Sequence, residues 1–373
     1  MAVLRPDVSV VIVNFNSGQH LAANLHGLLL PGNPLQTDIV VVDCASPIDQ
    51  SQHLDAAAQR GARVIRLDHN AGYAGGLNAG LAATKGRIVM LLNADVQPLA
   101  QVVPELVACL DAHPDVAFAT PRAYCDRGST FLVPDFHVPT RRTLAAELFG
   151  RISGRAAARI TLRNTRSRVA FWSATTMTEH SALHGAFLAT RRDTLAAIGG
   201  LDASFPLYYE DTDVFRRASL AGYRLVSLPG PGIVHLIHRS SATVWHEAMA
   251  KLEVGRQRYL RRHIGPFTAG IDRLARHMVG AWARRRPPRP TRPFVDVAAD
   301  TRPTLAWQGP PDEAVIEMAI DPHFLEAVGH FTRGVAFTAS AETWASLERG
   351  TYFVRALRRA DLAELMRWRL AKP

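Results

Sequence analysis

The chain has 373 residues, 47% hydrophobic and 20% charged, which excludes a disordered polypeptide and leaves room for one large core plus an appendage. The three cysteines, Cys44, Cys109 and Cys125, are scattered and odd in number, without the paired spacing of a zinc or redox site, so a reducing compartment is expected. The net charge of +10 resides entirely in 251–292, where twelve Lys and Arg stand against Glu253 and Asp272, a pattern that suggests a docking element for an anionic surface.

Residues 8–13 form a continuous β-branched run ending in polar Asn14, as in a strand buried on both faces of a parallel sheet. No stretch approaches the ~20 apolar residues that span a bilayer, and this run is far short of a secretory core. A cytoplasmic protein without a helical anchor is therefore expected. A helix is predicted over 18–30, a strand at 39–42 closing on Asp43, a helix at 50–60, a strand at 63–67, a helix at 76–84 and a strand at 88–92. This alternation is an α/β signature. Each strand runs into polar residues: Asn14, Asp43, the stretch 68–70, and Asn93 with Asp95. Open α/β sheets bind ligands at that edge.

The segment 126–180 is Arg-rich and irregular, with no assignable element. A strand at 182–190, a helix at 211–221, and a turn at 229–232 before a strand at 233–237 follow. Between 265 and 282, Phe267, Ile271, Leu274, Met278 and Trp282 recur at three- and four-residue steps among Arg273, Arg276 and His277, which predicts a basic amphipathic helix. The Arg- and Pro-rich stretch 284–290 cannot continue a helix and reads as a semi-rigid linker, and 294–373 regains the patterning of a small accessory domain. There are no internal repeats.

Four segments carry a specific resemblance: Val10-Val11-Ile12-Val13-Asn14-Phe15-Asn16, Val41-Val42-Asp43-Cys44-Ala45-Ser46, Asn70-Ala71-Gly72-Tyr73-Ala74-Gly75-Gly76-Leu77-Asn78-Ala79-Gly80, and Leu91-Leu92-Asn93-Ala94-Asp95. In this order they resemble the nucleotide-sugar half of a family 2 glycosyltransferase of GT-A fold. A second block holds Gly185, Arg191, Gly199-Gly200-Leu201-Asp202, Tyr208-Tyr209-Glu210-Asp211-Thr212-Asp213, Gly222-Tyr223 and His235. It resembles the acceptor half, in particular of the rhamnosyltransferase-like branch. Together the blocks cover roughly residues 8–240. The resemblance implies an α/β, GT-A-type Rossmann-like mixed sheet flanked by helices, over 1–245, with a nucleotide-sugar half at about 8–125 and an acceptor half at 126–245. A basic helical segment with its linker, 246–293, and an accessory domain of unknown role, 294–373, complete the expected organisation.

Breaking a sugar–diphosphate bond develops negative charge on the leaving phosphate, which a divalent ion neutralises well. Asp95, just past a strand, is placed to hold one, although Asp is also an ordinary turn residue there. By resemblance the site takes Mn2+ or Mg2+ at Asp95, with His235 standing where the family can recruit a histidine. The neutral Asn93 in a motif that is often Asp-x-Asp leaves one carboxylate to coordinate. A histidine at a strand edge is also a common structural residue, and both readings stand.

Attack on the anomeric carbon needs a carboxylate to take the acceptor hydroxyl's proton on the face opposite the diphosphate. The resemblance gives this role to Asp211, with Glu210 and Asp213 on the acceptor side. Acids at a helix start also favour the macrodipole, but three after two tyrosines exceed what capping requires. A single displacement predicts inversion. Donor binding falls by resemblance to Asn14, Asp43 for the pyrimidine base, Ser46, Asn70, Gly72, Gly75, Asn78, Asn93 and Asp95, the glycines of 72–80 letting backbone approach the diphosphate. Cys44 stands where the family usually has Asn, and Leu201 and Ala203 replace Phe and Glu.

The implied substrates are a UDP- or dTDP-sugar, with rhamnose the expected sugar, and a saccharide or polyprenyl-diphosphate-linked acceptor in cell-surface glycan assembly. A sugar-phosphate nucleotidyltransferase is the alternative enzyme, but it needs a cationic Gly-rich loop after the first strand, where Asn14-Phe15-Asn16-Ser17-Gly18 has no cation. A non-catalytic glycan-binding or scaffolding protein of the same fold is the other alternative. A Rossmann dinucleotide site fails on position and glycine spacing. The basic helix either packs its apolar stripe on the main domain or lies on an anionic membrane, at the inner face of the cell membrane. Without an aromatic-interleaved module, charge alone does not argue for nucleic acid.

Overall fold

The computed structural model describes residues 6–29, 35–99, 102–236, 245–285, 293–309 and 311–373. The chain divides into two compact units: Met1–Ala123, Phe136–Val138 and Thr175–Pro266 form the first, and Tyr124–Asp135, Pro139–Ala174 and Phe267–Pro373 the second.

The first unit opens with β1 (Val8–Asn14), a short 3-10 turn and α1 (Leu21–Leu28), β2 (Thr37–Asp43), α2 (Ser51–Gln59), β3 (Arg63–Arg66), α3 (Gly72–Ala82) and β4 (Ile88–Asn93). The short β5 (Val96–Pro98), α4 (Val102–Ala112) and β6 (Val116–Tyr124) follow. After two helices of the second unit, α5 (Arg141–Ile152) and α6 (Gly154–Trp172), come β7 (Thr178–His180), β8 (Phe187–Arg191), α7 (Arg192–Ala197), α8 (Glu210–Leu220), β9 (Arg224–His235) and α9 (Trp245–His263).

The strands form one mixed sheet in the order β3-β2-β1-β4-β8-β6-β9-β5, with β7 on β9. β1 pairs with β2 and β4 in parallel, whereas β8 runs antiparallel to β4. The chain leaves β1 to one side for β2 and returns on the other for β4, so the switch point lies between β1 and β4. Continuous apolar runs suit strands covered on both faces: Val10, Val11 and Ile12 of β1, and Val40, Val41 and Val42 of β2, are fully buried. α3 starts at Gly72, earlier than the apolar pattern predicts, and its Gly76 and Gly80 face the sheet. A Cβ on Gly80 would lie 2.3 Å from Val11 Cγ1, so the close approach they allow here is of helix to strand.

The second unit adds α10 (Pro266–Arg285), β10 (Val295–Ala298), β11 (Thr304–Ala306), β12 (Glu313–Ala319), β13 (Val328–Arg333), β14 (Ala336–Thr338), α11 (Ala341–Ser346), β15 (Gly350–Arg358) and β16 (Glu364–Lys372). Five strands form a sheet, β10-β16-β15-β12-β13, and β11 pairs with β14. The unit is not a contiguous C-terminal stretch, because α5 and α6 belong to it. Glu317 of β12 is fully buried between Arg168 of α6, at 2.7 Å, and Arg355 of β15, whose Nε lies 2.8 Å away. Breaking such a buried group by removing one partner leaves an uncompensated charge.

That network also explains why the sequence of 126–180 showed no element. The buried positions of α6 are Ala157, Thr161, Thr165, Arg168 and Trp172, a helical spacing filled mostly by polar side chains. Hydrophobic periodicity does not register a face whose partner is a carboxylate. Thr140 and Ser153 cap the two helices, each accepting from a backbone N–H three residues on. The predicted strand at 182–190 is ordered as β8 only from Phe187, and the residues before it are irregular. Most of the predicted linker, 286–290, and the side chain of Trp282 lie outside the described residues. Among the described residues no helix is long and apolar enough to cross a membrane.

Candidate active site

The strand register sets the first part of the site. Asn14 pairs with Asp43, and its neighbour Val13 with Asn93, so three polar strand ends stand side by side at the carboxyl edge. Asn14 donates to Asp43 Oδ1 at 2.6 Å, and the Ser46 hydroxyl donates to the same oxygen at 2.6 Å. Ser46 in turn accepts from the Asn16 backbone at 2.9 Å. Two loops are thereby tied around one carboxylate. Asn16 and Ala45 both take left-handed backbone, with φ of 54° and 51°. Asn70 is exposed and accepts from Gly72 N at 2.9 Å, starting α3, while Asn78 donates to the Leu201 carbonyl at 2.9 Å. Cys44 is buried, and its thiol is pushed up to about 11 by that burial and by the Asp43 charge. It packs against α3, where a Cβ on Gly76 would lie 2.7 Å from its sulfur.

The second part forms where β4 turns into β5. Val96 pairs with His235, which brings the end of β9 beside Asp95. His235 Nε2 lies 3.5 Å from Asp95 Oδ1 and 3.4 Å from Asn93 Nδ2. Asn24 of α1, fully buried, donates to the Asn93 carbonyl at 3.1 Å and fixes this turn from below. Burial works to raise the Asp95 pKa, but the proximity of His235, with His20 and the backbone, holds it below the usual carboxylate value. The other ring nitrogen of His235, Nδ1, lies 3.0 Å from His184 Nε2, so Nε2 is the nitrogen turned toward Asp95. His184 is held neutral, its pKa driven well down by burial and by His235.

Asp95 and His235 are therefore together, as the resemblance implies for a metal pair. Among the described residues no three His, Cys, Asp or Glu side chains are arranged around one ion. A carboxylate and an imidazole nitrogen 3.5 Å apart do suit an ion that completes its shell with diphosphate oxygens. His184 behind His235 is the outer partner that orients such a ligand.

The third part precedes α8. Tyr208 and Tyr209 are both left-handed, with φ of 62° and 68°, and Tyr209 is the N-cap of α8. Such backbone costs on the order of 1–3 kcal/mol per non-glycine residue and persists only where the surroundings enforce it. α9 enforces it. A Cβ on Gly255 would lie 2.7 Å from the Tyr208 carbonyl, so α9 sits directly on the loop. Tyr259 packs on Tyr209 with ring centroids 5.6 Å apart, and Arg256 is buried beside them. Asp213, expected on the acceptor side, lies wholly inside this brace: Oδ2 accepts from Arg217 at 2.8 Å, and Oδ1 meets His263 at 2.8 Å and Arg262 at 3.2 Å. Both its oxygens are engaged by packing partners. Of the α9 cations Arg256 is buried in this brace, whereas Arg258, Arg261 and Arg262 are exposed.

The loop presents Glu210 and Asp211. Asp211 Oδ1 accepts from Thr212 N at 2.6 Å and from the Thr212 hydroxyl at 3.1 Å. A Cβ on Gly185 would lie 2.4 Å from Oδ2, so the carboxylate packs directly on this glycine. Burial raises the Asp211 pKa above its ordinary value against the pull of the Thr212 bonds. Glu210 is buried, its Oε2 without a partner among the described residues, and its pKa is pushed up to about 8 by burial and by Asp211. Tyr73, at the start of α3, also has a buried hydroxyl with no partner among the described residues. Its ionisation is suppressed by burial, then by the charges of Glu210, Asp211 and Asp95.

A raised folded-state pKa means that ionisation of Glu210 opposes folding. Its stabilising contribution is complete below its ordinary 4.5 and is lost as pH rises toward about 8. Urea unfolding at a series of pH values is expected to show stability falling across this window. Glu210→Gln should flatten the fall, and a variant curve as steep as the parent's would assign it elsewhere.

Sequence reasoning missed His184, Tyr73 and the α9 brace. His184 and Tyr73 adjoin motif glycines, Gly185 and Gly72, which is the one signal that could have marked them. Nothing local reports that α9 contacts 202–213.

The model of glycosyl transferase family 2 matches residues 9–168, so this part of the chain is similar to that family. The mixed sheet flanked by helices is the GT-A-type arrangement implied by the motifs. Among curated proteins the chain is similar to the undecaprenyl-phosphate 4-deoxy-4-formamido-L-arabinose transferase of Edwardsiella ictaluri, 35% identical over 29% of this chain and 35% of that protein. It is also similar to the succinoglycan biosynthesis protein ExoO of Rhizobium meliloti, 33% identical over 24% of this chain and 26% of that one. The chain thus spans about a third or less of the length of these relatives. Among solved structures it is loosely similar to the mannosyltransferase PcManGT of Pyrobaculum calidifontis in complex with GDP-Man and Mn2+. That match has a TM-score of 0.44 and 16% identity, over 77% of this chain and 78% of that one.

Proposed function

We propose that the protein is an inverting glycosyltransferase that moves a sugar from a UDP- or dTDP-sugar to a hydroxyl of a saccharide or polyprenyl-linked acceptor in cell-envelope glycan assembly. The observation that carries the reading is the polar carboxyl edge built from Asn14, Asp43 and Asn93, with Asp95 and His235 3.5 Å apart at the β4–β5 turn beside it. Asp43, oriented by Asn14 and Ser46, offers a fixed acceptor for the N–H of a pyrimidine base. The 4-deoxy-4-formamido-L-arabinose relative has a lipid phosphate in its name, which supports a lipid-linked acceptor. Rhamnose is the sugar suggested by the acceptor-half motifs.

In this mechanism Asp211 takes the proton of the acceptor hydroxyl as its oxygen forms the new bond to the anomeric carbon. The bond from that carbon to the diphosphate breaks, its electron pair leaves with the nucleoside diphosphate, and one displacement inverts the centre. Asp95 and His235 would hold Mn2+ or Mg2+, which when bound neutralises charge on the departing diphosphate. Thr212 fixes one oxygen of Asp211, leaving Oδ2 over Gly185 for the proton. Glu210, kept protonated near neutral pH, avoids a second negative charge beside the base.

The test is calorimetry of UDP-, dTDP- and GDP-sugars with and without Mn2+, followed by nucleotide release with saccharide and lipid-linked acceptors. Metal-dependent binding of a UDP- or dTDP-sugar, and an inverted product by NMR, are expected. Binding of nucleoside triphosphate with sugar phosphate in place of nucleotide-sugar would overturn the reading.

A further inference from the structure

Helix α10 is amphipathic in the opposite sense to a helix packed on a core. Its buried positions are Ala269 and Asp272, at 0% and 3% exposure, and Arg276 pairs with Asp272 at 3.3 Å. Its large apolar side chains point outward: Phe267, Ile271, Leu274 and Met278 are 81%, 50%, 61% and 62% exposed. At about 100° per residue these four fall within an arc of roughly 60°, on the side of the helix away from Ala269 and Asp272. The stripe is therefore exposed, not packed on the core of its own unit.

A continuous apolar stripe left in water marks a binding surface. Charge selects the partner. Arg273 and His277 are exposed to one side of the stripe, roughly 90–130° round the helix from its centre, and the sequence from Arg273 to Arg292 contains no acid, while the acid of α10 itself, Asp272, is buried. A second copy docking through the same face would bring these cations against themselves. An anionic phospholipid surface meets both needs, since acyl chains take the stripe and headgroups take the cations. We infer that α10 lies in the interface of an anionic bilayer, with Phe267, Ile271, Leu274 and Met278 below the headgroups and Arg273 and His277 among them. The inference is independent of the donor and base assignments.

The full chain is sedimented with vesicles of phosphatidylcholine alone, or of equal parts phosphatidylcholine and phosphatidylglycerol, at low and high salt. Binding to the mixed vesicles, weakened by salt and absent without the anionic lipid, is expected. Phe267→Ser with Leu274→Ser should lower partitioning at least about tenfold while thermal unfolding stays unchanged, because both positions are exposed. Arg273→Glu with His277→Glu should remove the preference for anionic lipid. The inference is overturned if the parent chain stays in the supernatant with mixed vesicles, or if the serine variant sediments like the parent. A dimer in light scattering that the same serines dissolve would also overturn it. Nucleotide-sugar binding without lipid should be equal in parent and variants, so a failure of the transferase reading would show separately.

Discussion

Asp211→Asn is expected to lower turnover by about 10²–10⁴-fold, the range that a positioned general base contributes. Donor affinity should stay within about twofold, because the asparagine oxygen can keep both Thr212 hydrogen bonds and only the proton acceptor is lost. Nucleotide release with acceptor measures the first quantity, and calorimetry with nucleotide-sugar the second. Burial raises the Asp211 pKa, so activity in the parent should rise with pH through a limb above the ordinary carboxylate range. Normal turnover in the variant would take Asp211 out of the mechanism. The neighbouring Asp213 is no substitute, since Arg217, Arg262 and His263 already hold both its oxygens.

Asp95→Ala should weaken Mn2+ binding by more than the about 10–100-fold that loss of an outer-shell partner brings. Affinity for the nucleoside diphosphate should fall in parallel, because the ion and the diphosphate complete one another's shells. Asp95→Asn serves as the second variant, keeping the shape of a side chain that is 5% exposed while removing its charge. Calorimetry of Mn2+ with and without UDP reads both effects. If both variants bind metal and nucleotide as the parent does, the metal assignment fails, and the base assignment stands or falls on Asp211 alone.

The alternation of strands and helices over 8–92, and the polar ends of those strands, were legible because each buried strand is a local run of apolar residues. The register then carries Asn14, Asp43 and Asn93 to a common edge. Asp95 and Asp211 were legible for a related reason, since each sits in a contiguous motif. Where the stabilising partner is polar and distant, the pattern was silent. α6 buries Arg168 against Glu317, 149 residues away, and was invisible as an amphipathic helix.

The sequence by itself therefore determined the strand–helix alternation, the polar carboxyl edge and the motif positions of the two acids on which the proposed chemistry turns. All of these follow from short-range order. The tertiary structure alone decided that His184 stands behind His235, that Asp213 is a brace, that α9 holds two strained tyrosines in place, and that α10 turns its apolar side outward. The physical reason is common to them: each depends on which distant side chain satisfies a buried polar group or leaves an apolar one uncovered, and no local periodicity encodes that choice.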